Sequence, residues 1–465
     1  MSLVSLPYDL VELTAQHYLS RREHLRLTAL HSALHEVCQP LLYRVLGNGK
    51  PSGGFPHSAK VFERYGHYCR VFNLDKFSQP VLGDVVKYCR NVRVLNVDTP
   101  HPLDLADSNV FPRLTDVNYR LRLGTGVTLR QFKDLVVSRV EGLTIKQIDT
   151  SLRTADLAVL LKKAYAGGGL KRLKLDLLQD DGLPIEQVLV NCTSSTLQTL
   201  DIWTMHTLDP NNRPFMFGGN AKFPNLKSLS LPACCHDRYS FKDEVTLSPE
   251  EQFPNVTSLR AFFSFKCHTA TAKGVNSKPR GSPYSALCAI WSVCWPSVRH
   301  LDIAGVCVSS QYPVIAKNFP ALTRLSAKLG RRFVSTGPLP IGLLVEHFHH
   351  LDDIYIQWNY SIYNDNDSDT LDSTVIPRIR KIRIQYTPVP VEILAELLVS
   401  RSLRDVDVCF DGYDKLAKLL EKKRSEEGKV SQVTSFVVYK NDWDKFKASG
   451  LSTLLPRCRF TVSSY

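Results

Sequence analysis

Three short runs of the chain place potential metal ligands side by side. Asp365-x-Asp367-x-Asp369 spaces its carboxylates as the start of a calcium loop does. Thr370 stands where that loop needs a glycine to turn, Ile376 where it needs a bidentate glutamate, and no helical pattern flanks it. The run reads as a solvated acidic loop. Cys234-Cys235-His236 and His347-x-His349-His350 offer softer ligands, but neither has a second pair at the spacing that closes a tetrahedral zinc site. Gly167-Gly168-Gly169 lacks the Lys-Ser/Thr of a phosphate loop and sits where a helix must stop. No nucleophile elbow and no zincin string occurs. The sequence therefore predicts no catalytic residue, no metal and no cofactor. Its chemistry is expected to lie in binding.

The elements that would position binding residues come from a repeat. The pattern apolar-x-x-apolar-x-apolar recurs around the anchors Phe72, Leu95, Val117, Leu143, Leu173, Leu200, Leu229, Leu259, Leu301, Leu325, Ile354, Ile382, Val406, Phe436 and Phe460. Anchors are 22 to 30 residues apart, with one gap of 42. The position two after each anchor is apolar throughout, and the position three before it is apolar except at Arg457. Six anchors have a proline five residues upstream, preceded by a bulky residue: Phe111-Pro112, Phe223-Pro224, Phe253-Pro254, Trp295-Pro296, Phe319-Pro320 and Ile376-Pro377. Proline suits the approach to a strand and not its middle. Helical spacing fills the intervals at Ser151–Ala166, Val391–Val399 and Asp414–Glu427. A short strand followed by a helix, many times over, builds a parallel sheet one strand at a time.

This pattern resembles the leucine-rich repeat, in an irregular form in which Cys234 occupies the expected Asn/Cys position. The resemblance implies an α/β solenoid over residues 69–465, about 15 units, with a curved parallel sheet on the concave face and helices outside. Residues flanking the buried pair of each strand would then face the concave side. They include Arg172, Lys174, Asp176, Thr199, Asp201, Ser258, Ser326, Asp353, Gln357 and Gln385. Exposed Trp, Tyr, Phe and Arg are the residues of binding hot spots. Trp203, Arg260, Phe262, Arg324, Lys328, Tyr355, Lys381 and Arg383 are accordingly the expected substrate-binding residues, and their basic character points to an acidic or phosphorylated partner segment. The widest gap holds a Lys/Gly/Ser/Pro-rich insertion, Thr269–Pro283, ahead of a predicted helix at Tyr284–Trp295.

Residues 1–46 differ in kind, with helical spacing and no strand pattern. Pro7 and Asp9 suit a first helical turn, a second helix carries Leu25, Leu27 and Leu30, and a third segment holds Val37, Leu41, Leu42 and Tyr43. So small a piece leaves apolar surface that needs a partner. Leu6-Pro7-x-Asp9-Leu10-x-Glu12-Leu13, Leu19-Ser20-Arg21-Arg22-Glu23-His24-Leu25-Arg26-Leu27 and His35-Glu36-Val37-x-x-Pro40-Leu41-Leu42-Tyr43-Arg44 resemble an F-box of the kind frequent in fungal proteins. In that family the module docks on a Skp-family adaptor and through it a cullin, while the repeats select a protein substrate for ubiquitination. The resemblance implies adaptor contacts at Leu6, Pro7, Leu10, Leu13, Leu19, Leu25, Leu27 and Leu30, a linker at 47–68, and a non-catalytic subunit of an SCF-type ubiquitin ligase. The alternative is a non-ligase repeat scaffold whose N-terminal helices cap the array.

Bulk properties set the remaining bounds. The chain has 465 residues, is 43% hydrophobic and carries a formal charge of +13. Its basic residues are spread along its length, so nucleic acid is not expected. The N-terminus carries no signal-like leader and no apolar run is long enough to span a bilayer, which predicts a protein of cytoplasm or nucleus without membrane contact. The twelve cysteines are expected to be reduced, with Cys69, Cys89 and Cys409 acting as small hydrophobes.

Overall fold

The computed structural model describes residues 23, 26–27, 29, 32–46, 59–75, 82–98, 111–121, 140–147, 169–178, 195–205, 222–233, 249–263, 294–304, 312–328, 347–348, 350–357, 379–389, 391–410 and 412–463. The chain divides into two compact units, Met1–Thr207 and Leu208–Tyr465. In the first, strands β1 (Val45–Leu46), β2 (Val71–Asp75), β3 (Val94–Asp98), β4 (Asp116–Leu121), β5 (Gly142–Gln147), β6 (Arg172–Leu178) and β7 (Thr199–Met205) pair in chain order, each parallel to the next. In the second the same holds for β8 (Ser228–Ala233), β9 (Ser258–Phe263), β10 (His300–Ala304), β11 (Arg324–Lys328), β12 (Asp353–Gln357), β13 (Lys381–Pro388), β14 (Asp405–Cys409), β15 (Ser435–Tyr439) and β16 (Arg459–Ser463). One strand per repeat, laid parallel beside its predecessor, is the leucine-rich-repeat solenoid.

The apolar anchors set the register. Phe72 lies opposite Leu95, Leu95 opposite Val117, Val117 opposite Leu143, and the succession continues without a slip to Leu200. In the second unit it runs from Leu229 to Phe460. A slip of one residue would turn every anchor outward. Most anchors are 0 to 1% exposed, and burial of each leucine-sized side chain contributes about 1.5–3 kcal/mol. One rung precedes the first anchor of the sequence pattern. Leu46 pairs with Phe72 and Tyr43 stands three residues before it, but Asn48 occupies the position where the pattern requires an apolar residue. Helix α1 (Ser32–Leu42) leads directly into this rung.

The strands that follow a bulky residue and a proline are preceded by a tight turn. The N–H of Leu114 donates to the Phe111 carbonyl at 3.1 Å, and the same bond links Leu226 to Phe223, Val256 to Phe253, Val298 to Trp295 and Leu322 to Phe319. The prolines therefore occupy the second position of a turn, which their fixed φ favours, a full turn ahead of the strand. The bulky residue before each proline points inward. Phe223, Phe253, Trp295 and Phe319 stack in succession with ring centroids 5.4, 6.0 and 6.4 Å apart. At Ile376-Pro377 the residues lie outside those described.

The remaining helices are α2 (Ala59–Tyr65) and α3 (Leu82–Tyr88) in the first unit, and α4 (Pro249–Gln252), α5 (Tyr312–Asn318), α6 (Val391–Leu398), α7 (Tyr413–Glu427), α8 (Trp443–Ala448) and α9 (Leu451–Leu454) in the second. Helices α6 and α7 fall where spacing predicted them. Helix α7 ends at Gly428, whose φ of 64° lets its N–H reach back to the Lys423 carbonyl. Helix α2 occupies part of the stretch 47–68 read from the sequence as a linker, with Phe62 buried edge-on against Phe72. Its two turns are too short to register as a helical period. The predicted helices Ser151–Ala166 and Tyr284–Trp295 (Trp295 excepted), the insertion Thr269–Pro283, the acidic run Asp365–Asp369 and Cys234–His236 lie outside the described residues. Among the described residues, no group of three or more His, Cys, Asp or Glu is placed to hold a metal, and no helix is long and apolar enough to cross a membrane. Cys69 and Cys89 are fully buried free thiols; their mutual contact and their burial push the Cys89 thiol far up.

Candidate binding face of the strand array

Among the residues whose side chains are described, those one before, one after and three after the anchor are at least part-exposed, Gly142 and Ser230 excepted, and lie opposite the buried pair. Because the anchors are in register, these positions form three rows that run from rung to rung at about 4.8 Å per step. Their charges are ordered along the rows. Lys174 on β6 meets Asp201 on β7 at 3.1 Å, and Lys146 on β5 meets Asp176 on β6 at 3.0 Å. In the second unit Arg260 on β9 meets Asp302 on β10 at 3.2 Å, and Arg324 on β11 meets Asp353 on β12 at 3.2 Å. Each pair joins the same offset in successive repeats. All are part-exposed, so each contributes at most about 1 kcal/mol.

Amides and hydroxyls continue the rows. Asn118 donates to Asn96 at 2.7 Å and Asn96 to Asn73 at 2.5 Å, which makes an asparagine ladder over β2, β3 and β4. In the second unit the Tyr355 hydroxyl donates to Gln385 at 3.2 Å, while Gln385 and the Tyr439 hydroxyl donate to the two oxygens of Asp407 at 3.4 and 3.3 Å. This chain spans β12 to β15. Arg383 stands inside it, in register between Tyr355 and Asp407.

The residues singled out from sequence distribute over this surface as follows. Arg260 and Arg324 are held by aspartates, and Tyr355 is tied to Gln385. Arg383 is exposed and Lys381 half-buried, and among the described residues neither forms an ion pair. Trp203, Phe262 and Lys328 lie in β7, β9 and β11, at the row three after the anchor, with side chains outside those described. Asp302, Asp407 and Tyr439 had not been singled out, although they set the electrostatics of the face. For Asp302 the signal was legible: opposite charges recur at one offset in adjacent repeats.

At the N-terminal module, Leu27 packs half-buried with Leu41 against the small core of Leu34, Val37 and Cys38. Burial pushes the Cys38 thiol up. Leu6, Pro7, Leu10, Leu13, Leu19, Leu25 and Leu30 lie outside the described residues.

No protein-family model and no curated protein matches the chain. Among solved structures it is similar to the leucine-rich-repeat-containing protein LegL7 from Legionella pneumophila, at 12% identity over 63% of this chain and 95% of that one, with a TM-score of 0.36. A chain of the Rad7 and Elc1 complex in yeast shares 15% identity over 81% of this chain and 92% of its own, with a TM-score of 0.35. The plant peptide hormone receptor RGFR1, solved with RGF2, shares 11% over 82% and 69%, with a TM-score of 0.22. The fold assignment rests on the strand register.

Proposed function

We propose that the protein is the substrate-recognition subunit of an SCF-type ubiquitin ligase. In this reading the N-terminal module docks on a Skp-family adaptor, and the outer face of the strands binds a protein substrate. The single observation behind it is an ordered F-box-like string that runs into the first rung of a repeat array without a break. Helix α1 ends at Leu42, and the Arg44 carbonyl already accepts the N–H groups of Arg70 and Val71 at 2.9 and 3.0 Å. A partner held by the module would thus be fixed relative to the first strands. Fixed geometry is what a receptor supplies when it raises the effective concentration of substrate lysines near a conjugating enzyme. An acidic or phosphorylated substrate segment would engage Lys381 and Arg383, two basic positions of the face without an ion pair among the described residues.

The same continuity supports a second reading, a repeat scaffold whose N-terminal helices cap the array. Co-purification separates the two. The wild-type chain is expected to retain a Skp-family adaptor and a Leu6→Ala/Pro7→Ala/Leu10→Ala variant to lose it while unfolding at the same temperature. A wild-type chain that retains no adaptor would leave the scaffold reading in place.

A further inference from the structure

The turn edge of the array, from which the strands start, is mostly stitched to itself. Asn91 donates to the His67 carbonyl of the preceding rung at 2.8 Å, Asn255 to Pro224 at 2.7 Å and Ser297 to Pro254 at 3.0 Å. The hydroxyls of Thr115, Thr257 and Thr323 reach the preceding rung's carbonyl in the same way. Arg70 belongs to this set, donating to the carbonyls of His67 and Asn91. Four neighbouring arginines do not. Arg44 and Arg93 lie two residues before the anchors of β1 and β3, Arg90 five before the anchor of β3, and Arg113 four before that of β4. All four are exposed, and among the described residues their side chains form no hydrogen bond and no ion pair.

These groups share one surface. Arg70 and Val71 donate to the Arg44 carbonyl, and Arg93 and Val94 to the Arg70 carbonyl at 2.8 and 3.0 Å, so the rungs are stacked in direct succession. At about 4.8 Å per rung, the four rungs span roughly 15 Å. No carboxylate occupies the equivalent edge positions of β1 to β4. The first is Glu141 ahead of β5, and Lys171 holds it at 2.9 Å.

We propose that this arginine edge binds the sugar–phosphate backbone of a nucleic acid. Every unpaired cation on it is a guanidinium, permanently charged and shaped to take phosphate oxygens two at a time. Docking an extended peptide would call on backbone partners or pockets, yet the carbonyls of Arg44 and Arg70 each already accept two N–H groups. A phosphate chain needs neither, because it presents one charge per nucleotide. The whole chain's +13 charge favours the encounter. The +13 is thus not merely diffuse: part of it is concentrated here. The proposal is independent of the ligase reading.

The test is fluorescence anisotropy with a labelled random-sequence duplex and the matching single strand, titrated across roughly 50 to 300 mM salt. Removing four phosphate contacts lowers the salt slope for the duplex by about 3 to 4, since each contributes about 0.9. Arg44→Ala/Arg90→Ala/Arg93→Ala/Arg113→Ala is therefore expected to lose that slope and at least about tenfold in affinity. Each single substitution should remove about one unit of slope, which keeps the test valid if the quadruple variant fails to fold. A control removing the same charge from helices away from the turn edge, Lys317→Ala/Lys418→Ala/Arg424→Ala/Lys440→Ala, should shift binding far less. Absence of binding by the wild-type chain, an unchanged slope in the arginine variants, or an equal loss in the control would overturn the proposal. So would capture of an acidic phosphopeptide at this edge with neither oligonucleotide bound.

Discussion

Gly142 has no side chain, and a carboxylate oxygen occupies the space beside it. A Cβ there would overlap Oδ1 of Asp116 and stand 3.3 Å from Nε of Arg172. Asp116 and Arg172 sit on β4 and β6, and their 2.8 Å ion pair crosses over β5 through the gap that Gly142 leaves. Thr115 holds the other carboxylate oxygen at 2.8 Å. An alanine at 142 would push the carboxylate aside. The lost pair costs at most about 1 kcal/mol at this exposure, and the stiffer unfolded chain returns about 0.4–1 kcal/mol. Gly142→Ala should therefore stabilise the wild type by up to about 1 kcal/mol less than it stabilises a protein that lacks the pair. In an Asp116→Ala background the same change should stabilise by about 0.4–1 kcal/mol. Urea unfolding of the four proteins measures both values, and equal responses in the two backgrounds would refute the crossing. Pairs between adjacent rungs could be read from sequence by comparing one offset in successive repeats, as Arg324 and Asp353 show. The Asp116–Arg172 pair could not, because it skips a rung and depends on what residue 142 lacks.

Among the elements, strands were the most legible, because an anchor and its apolar partner two residues on must both face inward for a parallel rung to bury anything. Strand β1 escaped because Asn48 breaks that pair, and α2 because seven residues hold too few periods. The aromatic residues before the prolines were visible, but their stacking was not: residues 24 to 42 apart meet only once the rungs are in register. Helices α6 and α7 were legible, yet the ion pairs joining them were not. Glu392 on α6 meets Lys415 on α7 at 2.6 Å, and Glu396 meets Lys423 at 2.5 Å. The hydrogen bond from Lys415 holds the Glu392 carboxyl below the usual glutamate range. A lowered folded-state value means that the pair's stabilisation is present above the ordinary glutamate pKa and is lost as pH falls through the folded value. With both groups well exposed, the effect is small and local. Lys415→Met should raise the Glu392 titration toward the ordinary range in a carboxyl-resolved NMR experiment. An unmoved titration would mean that the backbone bond at Glu392, and not Lys415, sets it.

At the scale of the molecule, the array is a chain of near-neighbour contacts rather than one centre. Within each unit a rung touches the ones beside it, so stability is a sum of local terms and damage should spread by steps. Trp295 tests this within the second unit. It is 2% exposed and stacks between Phe253 and Phe319, the turn residues ahead of β9 and β11. Trp295→Ala removes about 3–5 kcal/mol of buried contact. In one cooperative core that loss would lower hydrogen-exchange protection evenly across the unit. In an array, amides of β9, β10 and β11 should lose most, those of β12 and β13 less, and those of β15 and β16 least. Hydrogen-exchange mass spectrometry of the variant reads this gradient directly. A uniform loss from β8 to β16 would mean that the second unit unfolds as a single block. A graded loss would mean that each rung of the second unit draws its protection from its own neighbours.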